Sequence, residues 1–542
     1  MSALLTSPLS PMGLLFGGGA FLFLFHRHLS RRLQQALPVA GIILAMLLWL
    51  RLRWLPPGAG QWWLWQAPLG LETALGFQWN GWTWIAGWLL FLAALTVVLL
   101  PQWKPRPGFF PIQFWILWLL AAALLVVSAA TWSTLLIAWA LLLFFTGVVA
   151  GSPPRSAPLA WTMLFMAGVF LYLAPLFNGF GSFTLMLQAE TLNLQAQLLV
   201  SLAVMIVVGA YPFHVWKTAS EQRAPGHQLA LHGIPALAAL HVLSRFDIPL
   251  LSSFSWISFG IAGLLGSAIA AWLSEEESQV WDFVAINRAT WVMLALALSR
   301  DAGLYRYLTP LTTLGVILLV WGLFRTHSAR THPLFKLLVL AFMLGFPLTP
   351  GFVLNIHLAQ LATSVLGFPG WILVLLSQTV FVAAVLRNRA AGESTPAMEA
   401  EQDDLPTSRF TWMMVLVVAF GLLWGAFPNV LARTAGLSPT DLYASILVPI
   451  RSAGLLTGWM TLLLPLLLGW LLARWHPRLF AGLDAFTRRV ADIAKLQWLV
   501  RGLETGFHYL AISVGFAADI LDGAGQFGWV LLVLLILWLF FK

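Results

Sequence analysis

The sequence has no cysteine, and only 9% of its 542 residues are charged whereas 60% are hydrophobic. Without cysteine the chain can form no disulfide bond and offers no thiolate as a nucleophile or metal ligand. A soluble domain carries about 25% charged residues, so this chain lacks the polar groups needed to cover a surface in water. The composition excludes a soluble enzyme and predicts a polytopic membrane protein.

Sequence signatures of soluble-enzyme chemistry are also missing. The glycines of "LFGGGAF" (15–21) lie in an apolar run without the lysine of a phosphate-binding loop, which indicates a helix-packing segment. No histidine and carboxylate residues have metal-ligand spacing, and the acidic run 275–277 is interpreted as a solvated loop. We therefore predict no cofactor, no metal and no catalytic site of its own, although the chain can belong to an oxidoreductase complex.

Apolar runs of membrane-spanning length, about 20 residues, recur along the whole chain. About sixteen candidates lie near 4–25, 36–54, 82–100, 111–130, 132–150, 159–178, 195–212, 229–245, 250–273, 283–299, 308–324, 334–356, 366–386, 410–432, 455–474 and 527–541. The first run lacks a basic region and a cleavage site, so it is predicted to be a retained helix rather than a signal peptide.

The net charge of +9 comes from basic residues in the short loops between apolar runs, where such residues set membrane topology rather than bind nucleic acid. Lysine and arginine concentrate in loops that follow odd-numbered spans. By the positive-inside rule, this places both termini outside the cytoplasm. We predict a multi-pass protein of the cell inner membrane.

Two polar segments interrupt the apolar runs. Residues 387–409 are polar and predict a flexible cytoplasmic loop. Residues 478–522 repeat apolar side chains every three or four positions with basic residues between them, which predicts an amphipathic helix along the membrane surface. Such a helix either anchors the chain in the membrane plane or braces a partner subunit.

Prolines break two of the predicted spans, because proline lacks an N–H and clashes with the preceding helical turn. Pro212 and Pro225 lie in "YPFHVWKTASEQRAPGHQLALHG" (211–233), and Pro347 and Pro350 lie in "MLGFPLTPGFVLNIHLAQ" (343–360). The two breaks are five spans apart and so have opposite orientations. This pairing is typical of inverted-repeat transporters, and ordinary proline kinks are the alternative.

The predicted fold class is an all-α polytopic membrane protein of about 16 transmembrane helices, with two inverted five-helix repeats and broken helices near Pro212 and Pro347. The predicted units are spans 1–3 at 1–110, a first repeat (spans 4–8) at 111–245, a second repeat (spans 9–13) at 250–386, the cytoplasmic loop at 387–409, spans 14–15 at 410–474, the surface helix at 478–522 and the last span at 527–542.

The order and spacing of these segments resemble the antiporter-like membrane subunits of respiratory complex I, with relatives in membrane-bound hydrogenases and multisubunit Na+/H+ antiporters. The resemblance rests on "YPFHVW" (211–216) followed by His232, on "LLIAWALLLFFTG" (135–147) and on "GFPLTPGFVLN" (345–355), and it extends over most of the chain. It implies proton movement along buried Lys, Glu and His residues, which are costly inside a membrane.

The chain departs from that family at most of the positions that move protons. The family's glutamate position is Ala140, its lysine position before the break is Val207, and its later Lys or Glu position is Asn355. Only the eighth-helix histidine remains, as His232. We therefore predict a divergent member that lacks the usual channel lysine and glutamate and does not pump protons alone by switching of that pair.

Several polar residues remain near the breaks. Lys217 and Glu221 are interpreted as a solvated pair, and Asn287 with Arg288 as an anchor at a helix end. His241 and Arg245 are four residues apart and share a helix face. Each histidine either relays protons or packs with its hydrogen bonds satisfied. The proton or ion pathway candidates are His232, His241, Asn355 and His357, and the helix-break residues are Pro212, His214, Pro225, Pro347 and Pro350.

Three functions remain open. The first is a membrane subunit of a proton- or cation-translocating complex, including a degenerate or scaffold copy. The second is the membrane subunit of an energy-coupled inorganic carbon (CO2/bicarbonate) uptake complex. The third is a stand-alone secondary transporter. The first two require other membrane and peripheral subunits in addition to the lipid bilayer, and none involves nucleic acid. Neighbouring genes for quinone-reductase or hydrogenase subunits favour the first, and a carbonic-anhydrase-like protein favours the second.

Overall fold

The N-terminal helices are separated by a β-hairpin in the computed structural model. Helix α1 (Leu9–Phe25) and helix α2 (Arg31–Arg51) precede strands β1 (Gly58–Gln66) and β2 (Glu72–Trp79), and helix α3 (Gly81–Leu99) follows. The strands pair antiparallel, and Phe77 of β2 also forms a bridge with Ala129. The structure describes residues 7–54, 58–66, 72–100, 112–151, 157–179, 187, 192–218, 225–246, 248–297, 305–324, 333–391, 407–427, 430, 433–435, 455–479, 484–496 and scattered positions from 498 to 535.

The first group of core helices ends in a short broken element. It consists of α4 (Ile112–Ser128), α5 (Trp132–Ala150), α6 (Ala157–Phe177), α7 (Leu194–Val208), α8 (Val215–Thr218) and α9 (Pro225–Leu243). Side-chain caps fix two of the starts: Thr131 accepts a hydrogen bond from the N–H of Thr134 at α5, and Asn193 accepts one from Ala196 at α7.

The second group repeats this plan. It consists of α10 (Phe254–Leu273), α11 (Glu277–Ala297), α12 (Tyr305–Phe324), α13 (Pro333–Leu344) and α14 (Pro350–Ala391), which bends at Gly367 (φ +68°). Helices α15 (Thr407–Ala426), α16 (Leu455–Leu479) and α17 (Asp484–Ala494) follow, and 3-10 helices lie at Leu52–Trp54 and Pro249–Ser252.

The two groups pack by the same pattern. In the first, the last helix α9 packs on α4, α5 and α7; in the second, α14 packs on α10, α11 and α13. Each group contributes five spans. In the first, α7 and α8 form one broken span; in the second, α13 and the part of α14 before Gly367 form the broken span, and the rest of α14 is the fifth. Because five is odd, the second copy crosses the membrane in the opposite direction, and the predicted fold class is confirmed. The residue bounds assigned to the units from sequence stay predictions.

Both predicted breaks are present. Helix α7 ends at Val208, four residues before Pro212, and α13 ends at Leu344, three residues before Pro347. Gly209 (φ +67°) and Gly345 (φ +69°) end the two helices in the left-handed conformation, which costs an L-residue with a Cβ more than glycine. Helical segments resume at Val215 and Pro350.

Six helices in the described part of the chain are long and apolar enough to span a membrane. They are Arg32–Trp54, Gly81–Leu99, Trp132–Ala150, Pro158–Phe177, Phe254–Leu273 and Leu358–Arg387, and shorter apolar helices accompany them. Large apolar side chains such as Phe165, Leu467 and Trp412 are exposed on the outside of the bundle, as expected of a surface that meets lipid. The protein is a multi-pass membrane protein.

The segment predicted as one surface helix over 478–522 is divided in the structure. Helix α16 extends to Leu479, α17 ends at Ala494, and Leu496 adopts a positive φ of 56°. Lys495 donates to Gln279 Oε1 at 3.1 Å, which docks the end of α17 on the start of α11. Partial burial lowers the pKa of Lys495 below its usual value, although the carboxylate of Glu275 opposes the shift.

Candidate functional site

A buried lysine closes the end of the first broken helix. The ammonium of Lys217 donates to the carbonyl of Val208, the last residue of α7, at 2.8 Å, and the residue is only 3% exposed. The indole of Trp216 donates to the carbonyl of Ile206 at 2.8 Å. The interpretation of Lys217 as half of a solvated pair is therefore wrong; Glu221 lies outside the described residues.

The lysine reaches this position because Gly209 has no side chain. A Cβ on Gly209 would lie 2.5 Å from Cδ and 2.7 Å from Cε of Lys217. One glycine therefore serves two needs, the left-handed turn and the passage of the lysine chain.

His214 lies in the same break and is fully buried. Its ring stacks on Tyr211, with centroids 5.0 Å apart, and meets Phe283 of α11 edge-on at 5.3 Å. Neither ring nitrogen has a hydrogen-bond partner in the structure. Because buried polar atoms are normally paired, this imidazole is available to exchange a proton or to bind a further group.

Tyr211 ties the first break to two other elements. Its N–H donates to Thr290 Oγ1 of α11 at 2.8 Å, and its hydroxyl donates to the carbonyl of Ala494, at the end of α17, at 3.0 Å. Gly266 of α10 leaves room for the ring, since a Cβ there would lie 2.9 Å from it. The break is thus bonded directly to the second repeat and to the surface helix.

Tyr211→Phe removes the bond to α17 and keeps the ring, so hydrogen exchange of the α17 amides should speed up while the melting temperature changes little. One such bond contributes about 1 kcal/mol, enough to loosen a single surface helix but not the bundle. The measurement is hydrogen exchange with mass spectrometry on the purified chain. Tyr172→Phe, at an exposed tyrosine, is the control, and equal exchange in both variants would contradict the link.

The second break is organised around an arginine in the middle of α11. Arg288 has no exposed surface, and its guanidinium lies over the rings of Trp291 (4.7 Å) and Phe381 (3.8 Å). Its Nη2 donates to Asn287 Oδ1 at 2.8 Å and to Gln378 Oε1 at 2.9 Å. The interpretation of Asn287 and Arg288 as a helix-end anchor is therefore wrong.

Arg288 also reaches the end of α13. Its Nη1 donates to the carbonyl of Met343 at 3.3 Å, and Asn355 Nδ2 donates to the carbonyl of Leu344 at 2.9 Å. Two side chains therefore satisfy the last carbonyls before the break, as Trp216 and Lys217 do at the first break.

Basic side chains meet helix C-termini at four places in the described chain. Two of them are partly buried arginines at the first helix of each repeat: Arg245, two residues past α9, donates through Nη1 to Ala129, just after α4, and Arg387 of α14 donates through Nη2 to Ser274, just after α10. The broken helices α7 and α13 are met by Lys217 and Arg288. The last carbonyls of a helix lack internal partners and carry partial negative charge, so they stabilise cations where carboxylates are scarce.

The pathway candidates from the sequence lie at different places. His232 packs on Trp321 of α12, with centroids 5.0 Å apart, and Asn355 belongs to the second break. His241 hydrogen-bonds the backbone of Val127 at the end of α4. His357 is in α14, and its side chain lies outside the described residues.

The two positions that correspond to lost family residues also differ in setting. Val207 is fully buried, one residue before the carbonyl that Lys217 binds, whereas Ala140 lies on an exposed side of α5.

Sequence reasoning missed Lys217, Arg288 and Gln378. The available signal for Lys217 was a lysine five residues after a helix-breaking proline. Within the described ranges, no group of His, Asp and Glu is placed to hold a metal ion.

Comparison with known proteins gives matches among solved structures and none among family models or curated sequences. Among solved structures, the chain is similar to a chain of respiratory complex I from Thermus thermophilus, solved with bound aureothin. The TM-score is 0.58 at 20% identity, and the match covers 77% of this chain and 97% of that one. At this identity the likeness shows that the two chains share a fold.

Proposed function

We propose that this chain is a membrane subunit of a complex I-like assembly in the cell inner membrane, and that it carries protons together with other membrane and peripheral subunits. The shared fold supports membership of such an assembly. Broken helices support transport, because they place helix-end carbonyls and the charged side chains that bind them at membrane depth.

The observation that carries the proposal is the position of Lys217 in the first break. Its ammonium is buried, meets a helix-end carbonyl at 2.8 Å and lies three residues from the unpaired imidazole of His214. An ammonium can give up its proton to a neighbouring group and take one back, whereas a guanidinium stays charged. Lys217 thus takes the role of a proton carrier at a break where Val207 cannot.

Arg288 has a different role at the second break. A guanidinium stays protonated under all ordinary conditions, and this one is bonded to three acceptors. It acts as a fixed positive charge whose field favours release of protons from nearby carriers. His232, His241, Asn355 and His357 are proposed members of the remaining route, with the prolines at 212, 225, 347 and 350 shaping the breaks.

The test is proton transport by the purified chain with and without the subunits that co-purify from its native membrane. Both samples are reconstituted in liposomes with a pH-sensitive dye under an imposed potential. We expect uncoupler-sensitive transport only in the assembled sample, because the unpaired groups at the breaks require a continuous route through neighbouring subunits. Robust transport by the chain alone would contradict the proposal and favour a stand-alone transporter. A zinc-containing, carbonic-anhydrase-like partner in place of oxidoreductase subunits would favour the inorganic carbon complex.

A further inference from the structure

One edge of the Arg245 guanidinium has no partner. Nη1 donates to the carbonyl of Ala129, but Nε and Nη2 are closed to solvent and make no hydrogen bond. These two nitrogens form the side of the guanidinium that binds both oxygens of a planar oxyanion at once. A charged donor that is closed to solvent and lacks an acceptor is unfavourable, so this edge is poised to bind a ligand.

The same edge is filled by protein at Arg288. There Nε and Nη2 both donate to Asn287 Oδ1, at 3.2 and 2.8 Å, and Nη2 also reaches Gln378. The fold therefore supplies side-chain acceptors to this edge of Arg288 and leaves the same edge of Arg245 without them.

The internal repeat identifies what is missing at Arg245. Arg387 makes the comparable contact in the second repeat. It lies within α14, whereas Arg245 lies two residues past the end of α9, and each donates to the residue that follows the first helix of its repeat. The carboxylate of Glu275 lies within electrostatic range of Arg387. Glu275 is two residues past the end of α10, and the residue two past the end of α4 is Ala130. The second repeat thus has a carboxylate where the first has a methyl group.

His241 adds a second unpaired group on the same helix face. It is 4% exposed, lies one turn before Arg245, and bonds the backbone of Val127 through one nitrogen. Its Nε2 has no partner. Because Nδ1 donates to the backbone of Val127, Nε2 carries a proton only in the imidazolium form, and that form would complete the set of donors around an anion.

We propose that Arg245 and His241 bind a small planar monovalent oxyanion, of the formate or bicarbonate type, at the junction of α4 and α9. The Arg245 edge binds two oxygens and His241 binds one. Strand β2 meets the end of α4 at this junction, where Phe77 bridges Ala129. The anion site shares His241 with the proposed proton route, but Arg245 is not a member of that route, so anion binding is tested at Arg245.

The test is equilibrium dialysis of the purified full-length chain against radiolabelled formate. We expect saturable binding that bicarbonate and nitrate compete away and that chloride displaces poorly, because a sphere cannot use two donors at once. Arg245→Lys keeps the charge but loses the edge, and should weaken binding at least about tenfold. The matched control, Arg387→Lys, changes the equivalent arginine of the second repeat and should leave binding unchanged.

Two further variants decide between a bound anion and the chain's own carboxylates. Ala130→Glu places a carboxylate where the second repeat has one and should abolish formate binding. Asp247→Asn removes an acid that lies outside the described residues, and should have no effect. Tighter formate binding in Asp247→Asn would assign the edge to that carboxylate and overturn the proposal. So would absence of saturable binding to the native chain, or chloride binding as strong as formate binding.

Discussion

Replacing Lys217 with methionine should reduce proton transport by the reconstituted assembly about a hundredfold, the lower range for loss of a positioned proton-transfer group. Methionine matches the apolar length of the lysine chain but carries no proton and offers no donor to Val208. The assay is dye-reported proton uptake in liposomes that hold the chain with its co-purified subunits. Lys217→Arg should fail as well, because a guanidinium does not release its proton.

The melting temperature separates this role from a structural one. Removing a buried charge recovers its desolvation cost, while one carbonyl loses its donor, so the two effects on stability oppose each other. We expect Lys217→Met to melt close to the native chain. A large fall in melting temperature together with lost transport would instead make Lys217 a helix-end cap only.

Gly209→Ala tests the same lysine without removing it. The added Cβ would lie 2.5 Å from Cδ of Lys217 and must displace the chain, so transport should fall as in Lys217→Met. The left-handed φ of +67° adds a strain of about 1–2 kcal/mol. Gly179→Ala provides the control, because Gly179 has φ +77° and no atom within 4 Å of the added Cβ. Equal transport in the two glycine variants would contradict a role for the lysine's position.

The breaks were predictable because their cause is local. Pro212 and Pro347 each follow within three residues a glycine of positive φ that gives the chain the backbone freedom to turn, whereas Pro235, which follows no glycine of positive φ, lies inside a continuous helix. Their spacing of five spans then implied the inverted repeat. Helix existence and the broken elements followed from sequence, whereas the exact ends of the helices required the structure.

The buried cations were not predictable by the same reasoning. Sequence analysis pairs a charge with a nearby opposite charge, and so assigned Lys217 to Glu221. Its partner is a helix-end carbonyl, a group that every residue has and that leaves no pattern. The acceptors of Arg288 lie 55 and 90 residues away, on helices whose contact only the tertiary fold creates.

The end of helix α17 could not be predicted either, although its apolar face could. Its apolar period continues through Lys495 and Leu496, with neither glycine nor proline to mark an end. The helix nevertheless stops at Ala494, whose carbonyl is taken by Tyr211 from nearly three hundred residues earlier in the chain. A periodic pattern therefore predicts which face is apolar more securely than it predicts where the helix ends.

Arg288→Met should destabilise the chain by about 3 kcal/mol, since it leaves the carbonyl of Met343 and the side-chain oxygens of Asn287 and Gln378 without their donor. The measurement is unfolding of the detergent-solubilised chain by increasing SDS, followed by tryptophan fluorescence. Trp291, which lies under the guanidinium, is one of the thirty tryptophans that contribute to this signal.

Adding Gln378→Leu to Arg288→Met separates the lost donor from the lost charge. If orphaned acceptors cause the instability, removing one of them should restore about 1 kcal/mol, so the double variant is more stable than Arg288→Met alone. If the positive charge itself stabilises the break through the end of α13, Gln378→Leu should restore nothing and Arg288→Lys should rescue most of the loss. We expect the first result, because the guanidinium bonds three acceptors on three different helices and a single ammonium cannot reach them all.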